Sequence, residues 1–415
     1  MATVLPFSAV YYNPEKLPDV TPVITPPYDV IPDAEVPALL KRSPYNFAHL
    51  DLPRKDPDDY AAQKQQYIDW KEKNVLTKSP NASYYFYRQV YEWNGKSYTR
   101  DALVAAVGLH DFSERIVLPH ENTHGKAKTD RLNLMRAFQS QLSHIFGVVK
   151  DETKFLARNL GRTVENEPLL RGKSDDGVEH TIWEVPPGLN SATRLFFKNE
   201  PIYIVDGHHR YESSVTYSKE VGAFKQPDQA ASAALFSICT TTDPGLIVLP
   251  THRIVTEVSD WSSRWAKAAQ DFTVTPMTAA QLEAFTEKPS TTPSFAVAWK
   301  DGGREQIFHV EPKNWQSKEK DWGYALHKLS VHWSDRVFLK DIASVADTAF
   351  AKHLTYEREY QKAYDAVSGS SFVIFQPQPQ VSDMTDIADE GKFMPPKSTY
   401  FYPKLASGLL MRELI

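Results

Sequence analysis

Cysteine is almost absent: the 415 residues include one, Cys239. A single thiol excludes an internal disulfide and a thiolate metal cage. It falls in the apolar run 233–239, where a small buried hydrophobe is expected rather than a reactive nucleophile. Glycine is scarce beside proline, 17 against 29. Proline crowds the first 60 residues, which favours extended segments and turns there over long helices. Neither sign of charge dominates, with 47 basic against 52 acidic side chains and a net charge of -5. That balance offers no global field for nucleic acid or for an anionic membrane, so any anion site must be a local concentration of donors. No run approaches the ~18 apolar residues of a membrane span, and Met1–Pro6 lacks the basic and apolar regions of a signal peptide. A reducing cytoplasm is the expected compartment, and the oligomeric state is open. The P-loop, GxGxxG and GxSxG patterns are missing as well. Against these absences stand 41% hydrophobic and 24% charged residues. A globular chain of roughly two to three domains is expected, divided here as 1–255 and 256–415.

Periodicity predicts a mixed α and β chain. Tyr60–Asn74 and Asp130–Phe146 have helical spacing. Tyr84–Val90 and Tyr98–Val107 read as strands joined through an Asn94-Gly95 turn. Further strands are expected at His180–Val185, Thr193–Phe197, Pro201–Val205, Ala233–Cys239 and Ile247–Leu249. A helix is expected from His208 to Val221. Beyond it, Trp261–Phe272, Thr278–Glu287 and Tyr356–Val367 read as helices. Ser294–Trp299 with Gln306–Val310 reads as a hairpin, and Ser371–Phe375 as a strand.

Three segments carry candidate chemistry. In residues 203–212 a buried strand ends at Asp206-Gly207, and a helix begins at once with His208, His209 and Arg210. A helix N-terminus favours an anion, glycine permits close backbone approach, and arginine grips phosphate in a fork. Asp206 can cap the helix, hold a metal through water or accept a proton. In residues 120–131, HENTHGKAKTDR contains a formal HExxH match. Zinc hydrolysis needs His120 and His124 on one helical face. Pro119 before the motif, Gly125 after it and the weak helix formers between place it in a loop. Its Lys126, Lys128 and Arg131 suggest an anion surface instead, with Glu121 a base or metal ligand. In residues 394–404, Lys397, Ser398, Thr399 and Lys404 suit a phosphate, and Tyr400, Phe401 and Tyr402 imply packing against the body. Asp29, on the rigid turn 25–30, and the pair His252-Arg253 complete the candidates.

PPYDVI at 26–31, SPYNFAHL at 43–50, HENTHGKAKTDR, YIVDGHHRYESS at 203–214 and MPPKSTYFYPK at 394–404 occur in this order. Together they resemble the DUF1015 family. The DGHHR element is similar to the phosphate-binding strand–helix corner of the ParB/sulfiredoxin superfamily. The resemblance implies an α+β fold with a core of that type and N- and C-terminal elaborations. It also implies kinship with kinases that phosphorylate free L-serine using pyrophosphate or ADP. Histidines stand where sulfiredoxin chemistry needs a cysteine, and no basic DNA-binding helical domain is present.

The expected function is therefore a small-molecule phosphotransferase, a serine kinase using pyrophosphate or ADP with Mg²⁺. Gly207, His208, His209 and Arg210 would hold the donor phosphate. Lys126, Lys128, Arg131, His252, Arg253, Lys397, Ser398, Thr399 and Lys404 would complete the pocket. The proton acceptor would be Glu121, Asp206 or Asp29 in that order, with Mg²⁺ at Asp206 or Glu121. Phosphomonoester hydrolysis and a non-catalytic phosphometabolite sensor are the alternatives, with zinc hydrolysis third.

Overall fold

A computed structural model of the chain describes residues 1–52, 59–122, 125–313, 315–316 and 322–415. Helices and strands of both parallel and antiparallel pairing are interspersed, so the fold is mixed α+β. The chain forms two compact units. One comprises Met1–Pro119, Thr123–Ile247 and Pro403–Ile415; the other comprises His120–Asn122 and Val248–Tyr402.

The first unit is built on a nine-stranded mixed sheet. Its order runs Val117–Leu118, Ile202–Asp206, Ile145–Val149, Ala233–Thr240, Lys96–Gly108, Tyr85–Trp93, Glu179–Glu184 and Leu170–Lys173. Val4–Leu5 also pairs with Lys96–Gly108. The central Ala233–Thr240 strand has alanine, leucine, phenylalanine and isoleucine on both faces and is buried almost throughout, the pattern of a strand covered on both sides. Cys239 lies in it at 0% exposure, and burial pushes its thiol well up, as expected of an unreactive core residue. Asn94 and Gly95 turn the Tyr85–Trp93 and Lys96–Gly108 hairpin with φ of 48° and 71°. Those angles are the ones a two-residue primed turn requires. A four-stranded sheet joins Leu76–Lys78, Ala9–Tyr12, Met411–Glu413 and Ser140–Gln141. The chain's last segment is thus a strand of the first unit.

The second unit carries a six-stranded antiparallel sheet. Its order is Phe272–Pro276, Arg304–Pro312, Phe295–Asp301, Ser371–Phe375, His252–Thr256 and Leu354–Glu357. Trp261, Trp265, Trp299, Phe308, Phe338 and Phe372 pack together on it, Trp261 stacking on Phe372 at 3.8 Å between centroids.

Four sequence expectations are corrected. The helix expected at 130–146 runs from Gly125 to Phe138. Gln139, at φ 50°, ends it, and the β-branched Ile145, Val148 and Val149 lie in a strand. Thr193–Phe197 is the end of a helix, Asn190–Phe197, with Thr193 and Phe197 buried one turn apart. Trp261–Phe272 is two short helices, after which Phe272 opens a strand. Tyr356 belongs to the strand Leu354–Glu357, and the following helix is confined to Tyr360–Asp365.

Candidate functional site

The strand Ile202–Asp206 and the helix His208–Glu220 meet at Gly207, as the sequence predicts. Gly207 has φ 89°, a left-handed conformation that favours glycine. The turn also folds the Arg210 side chain back beneath it. A Cβ on residue 207 would stand 2.9 Å from Arg210 Nε and 3.0 Å from its Cζ. Arg210 is 9% exposed. Its Nη2 donates to Asp206 Oδ2 at 3.2 Å, and its Nη1 donates to the carbonyl of His144.

Asp206 is gripped from a second side by Lys404, whose Nζ lies 3.5 Å from Oδ1. Burial alone would raise the Asp206 carboxyl. Lys404, then Arg210 and His208, more than offset it and hold it down at about 2. An acid held that low is a poor proton acceptor near neutral pH. The corner therefore presents a fixed carboxylate surrounded by cations.

The support beneath Arg210 contains His144, which the sequence did not single out. Its Nε2 faces the Leu410 carbonyl at 2.9 Å, so Nε2 carries the proton and Nδ1 accepts from Ser237 Oγ at 2.7 Å. Burial lowers its pKa to about 4, so the ring stays neutral. A cavity of ≈ 30 Å³ lies among Asp51, Arg131, Gln141, Arg210 and Ser214. Arg131 is 4% exposed there, its Nη1 donating to Asp51 Oδ1 at 2.9 Å and its guanidinium 3.7 Å from the Tyr28 ring centre. Burial raises Tyr28 to about 12. Arg131 is thus a buried group paired with Asp51 and Asp130. Asp29, beside Tyr28, is exposed on a short 3₁₀ turn.

In the second unit the structure joins two of the sequence segments. The Met394 N–H donates to the His120 carbonyl at 2.8 Å, and the Lys397 N–H reaches Glu121 Oε1 at 3.4 Å. His120 Nε2 lies 3.3 Å from Thr399 Oγ1, and its ring meets Phe401 edge-on. Ser398 is buried and donates to the Pro395 carbonyl, while the Lys397 side chain is exposed. Phe401 is 1% exposed, so this aromatic segment is packed as expected.

His120 and Glu121 lie before the helix that begins at Gly125, which removes the helical face that HExxH zinc binding needs. His124 and the side chains of Lys126 and Lys128 lie outside the described residues. Among the described residues no group of three or more His, Cys, Asp or Glu could hold a metal ion.

His252 and Arg253 lie in the core of the second unit. Arg253 is 0% exposed and pairs with Asp335 through Nε at 3.0 Å and Nη2 at 3.1 Å. Its Nη1 donates to the Thr251 carbonyl. His252 is 1% exposed, accepts the Gln376 N–H, and is lowered by burial to about 3. This guanidinium is committed to the core of its own unit.

Sheet and corner define a mixed α+β protein in which Arg210 and Lys404 both pair with Asp206 at a strand–helix junction. The chain belongs to the DUF1015 family, a protein family of unknown function whose profile matches residues 4–332. No curated protein matches it. Among solved structures it is similar to free serine kinase in complex with AMP, at TM-score 0.35 and 12% identity over 72% of this chain and 86% of that one. It is also similar to SbnI with C-terminal truncation from Staphylococcus aureus, at TM-score 0.38 and 10% identity over 73% and 85%. A conserved hypothetical protein from Pyrococcus furiosus gives TM-score 0.35 and 13% identity over 76% and 97%. Among the described residues no helix is long and apolar enough to cross a membrane.

Proposed function

We propose that the chain is a small-molecule phosphotransferase that phosphorylates free L-serine with pyrophosphate or ADP as donor. The observation that carries this reading is the cation set at the corner. Arg210 and Lys404 converge on one carboxylate from two directions, at the start of a 13-residue helix. Phosphoryl transfer asks a protein chiefly for positioning and charge neutralisation. A donor phosphate entering here meets the helix N-terminus together with Gly207, His208, His209 and Arg210. Lys404 can then exchange part of its contact with Asp206 for a phosphate oxygen. The sequence resemblance to the serine-kinase branch supports the same reading.

Asp206, held at about 2, serves this reading as the group that orients Arg210 and Lys404. Glu121, which the sequence placed first as base, belongs to the second unit. In that unit the Lys397 N–H reaches Glu121, and Thr399 lies beside His120. Magnesium would supply charge neutralisation on the donor phosphates. Both oxygens of Asp206 already face cations, which suits it poorly as a ligand.

Calorimetric titration tests the donor site directly. Pyrophosphate or ADP is expected to bind the full chain, and Arg210→Ala is expected to weaken that binding. Equal binding by Arg210→Ala and the parent chain contradicts the assignment.

A further inference from the structure

Lys404 reaches Asp206 from a tail segment, and its backbone is held by two side chains that play no part in the site chemistry described so far. Gln89 and Arg100 face each other across the Tyr85–Trp93 and Lys96–Gly108 hairpin. Arg100 is 1% exposed and Gln89 2%. Arg100 Nε donates to Gln89 Oε1 at 3.1 Å, and its Nη2 donates to both Gln89 Oε1 and the Pro403 carbonyl. Gln89 Nε2 then donates to the Lys404 carbonyl at 3.1 Å. The guanidinium also lies 4.7 Å from the centre of the Phe146 ring, and Phe146 is the strand partner of Asp206. One buried pair thus contacts the backbone of Lys404 and the residue across the strand from Asp206.

We propose that Arg100 and Gln89 are positioning residues that fix the Lys404 ammonium against Asp206, so that it is already placed when a phosphate arrives. The chemistry favours this over a purely architectural role. Burying a guanidinium is costly, and an apolar pair of similar volume would join two strands at least as well. An apolar pair could not hold the successive carbonyls of Pro403 and Lys404. Lysine has a long flexible stem, and fixing its backbone removes the freedom that would blur its charge. The proposal rests on the phosphate reading of the corner only for its purpose, since the clamp itself can be examined without ligand.

The sharpest variant is Gln89→Glu. It keeps the shape, gives Arg100 a carboxylate to pair with, and replaces the donor to the Lys404 carbonyl with an oxygen. A structural role predicts a neutral or stabilised protein with Lys404 unaffected. The positioning role predicts that Lys404 is freed while the fold is kept. The readout is the acetylation rate of individual lysines in the folded full chain, followed by peptide mass spectrometry. Lys71 and Lys78, both paired with Glu413 in the same tail, are internal controls. Lys404 is expected to react faster by about ten-fold in Gln89→Glu, the size of one lost contact. Lys71 and Lys78 are expected to be unchanged. An unchanged Lys404 overturns the proposal, and so does acceleration of all three, which would mean that the tail has detached.

Pyrophosphate titration separates this from the phosphate reading. If the clamp acts through Lys404, Gln89→Glu weakens pyrophosphate binding in the parent chain but has no further effect in Lys404→Met. Additive losses overturn it. A parent chain that ignores pyrophosphate contradicts the phosphate site and leaves the clamp to the labelling result.

Discussion

The guanidinium of Arg210 lies so close beneath the α-carbon of Gly207 that a methyl group there would stand 2.9 Å from its Nε. Two requirements meet at this residue: a left-handed φ of 89° and room for a buried arginine. Gly207→Ala is therefore expected to destabilise the first unit by about 1–3 kcal/mol. It is also expected to displace Arg210 from the His144 carbonyl. Chemical denaturation checks the first outcome and loss of pyrophosphate binding the second. An alanine variant with unchanged stability and binding contradicts this geometry.

Lys404 is the strongest influence holding the Asp206 carboxyl low, and burial opposes it. In Lys404→Met burial is left with less opposition, so Asp206 is expected to titrate distinctly higher than about 2. The carboxyl carbon shift of Asp206, followed by NMR through an acid titration, measures this. A midpoint that stays put shows that Lys404 does not act on Asp206.

The corner was legible in the sequence because its elements are contiguous. An apolar strand, a glycine and a polar helix start occupy residues 203–212, and local chemistry suffices to place them. His144, Asp51, Gln89 and Arg100 were not legible, because each acquires its role through a partner 11 to 315 residues away. The same holds for the tail: nothing local to Met411–Glu413 says that it pairs with Ala9–Tyr12. For His252-Arg253 too the partner was out of reach of local reading: Asp335, 82 residues away, faces the arginine. Periodicity misread Thr193–Phe197 because a five-residue stretch with four apolar or β-branched positions cannot distinguish a strand from the last turns of a helix.

That buried arginine gives a prediction of its own. Asp335→Asn leaves the Arg253 charge without its carboxylate in the core, which commonly costs about 3–5 kcal/mol. The tryptophan fluorescence transition of the second unit is expected to move to lower denaturant. An unmoved transition shows that the pair is dispensable.

Buried histidines set the response to acid. Burial lowers His144 to about 4, and His180, His252 and His332 to about 3. All four sit below the ordinary value near 6.5, so the unfolded chain binds protons that the native chain refuses. Their contribution to stability is complete above pH ~6.5 and diminishes as pH falls toward 4. Asp243, raised by burial to about 6, and Asp51 and Asp383, also raised by burial, work in the opposite direction, against these four and His309, which burial lowers as well. The melting temperature is expected to fall between pH 7 and 4.5, and less steeply in His180→Gln. Parallel profiles for the two proteins contradict this.

The central claim concerns chemistry, and phosphorus NMR addresses it most directly. The purified full chain is incubated with Mg²⁺ and L-serine, in separate tubes with pyrophosphate, ADP or ATP. A new phosphomonoester resonance with pyrophosphate or ADP, absent in Arg210→Ala, is the predicted result. Unchanged donor resonances in every tube, under conditions where the chain is folded and binds the donor, would contradict it.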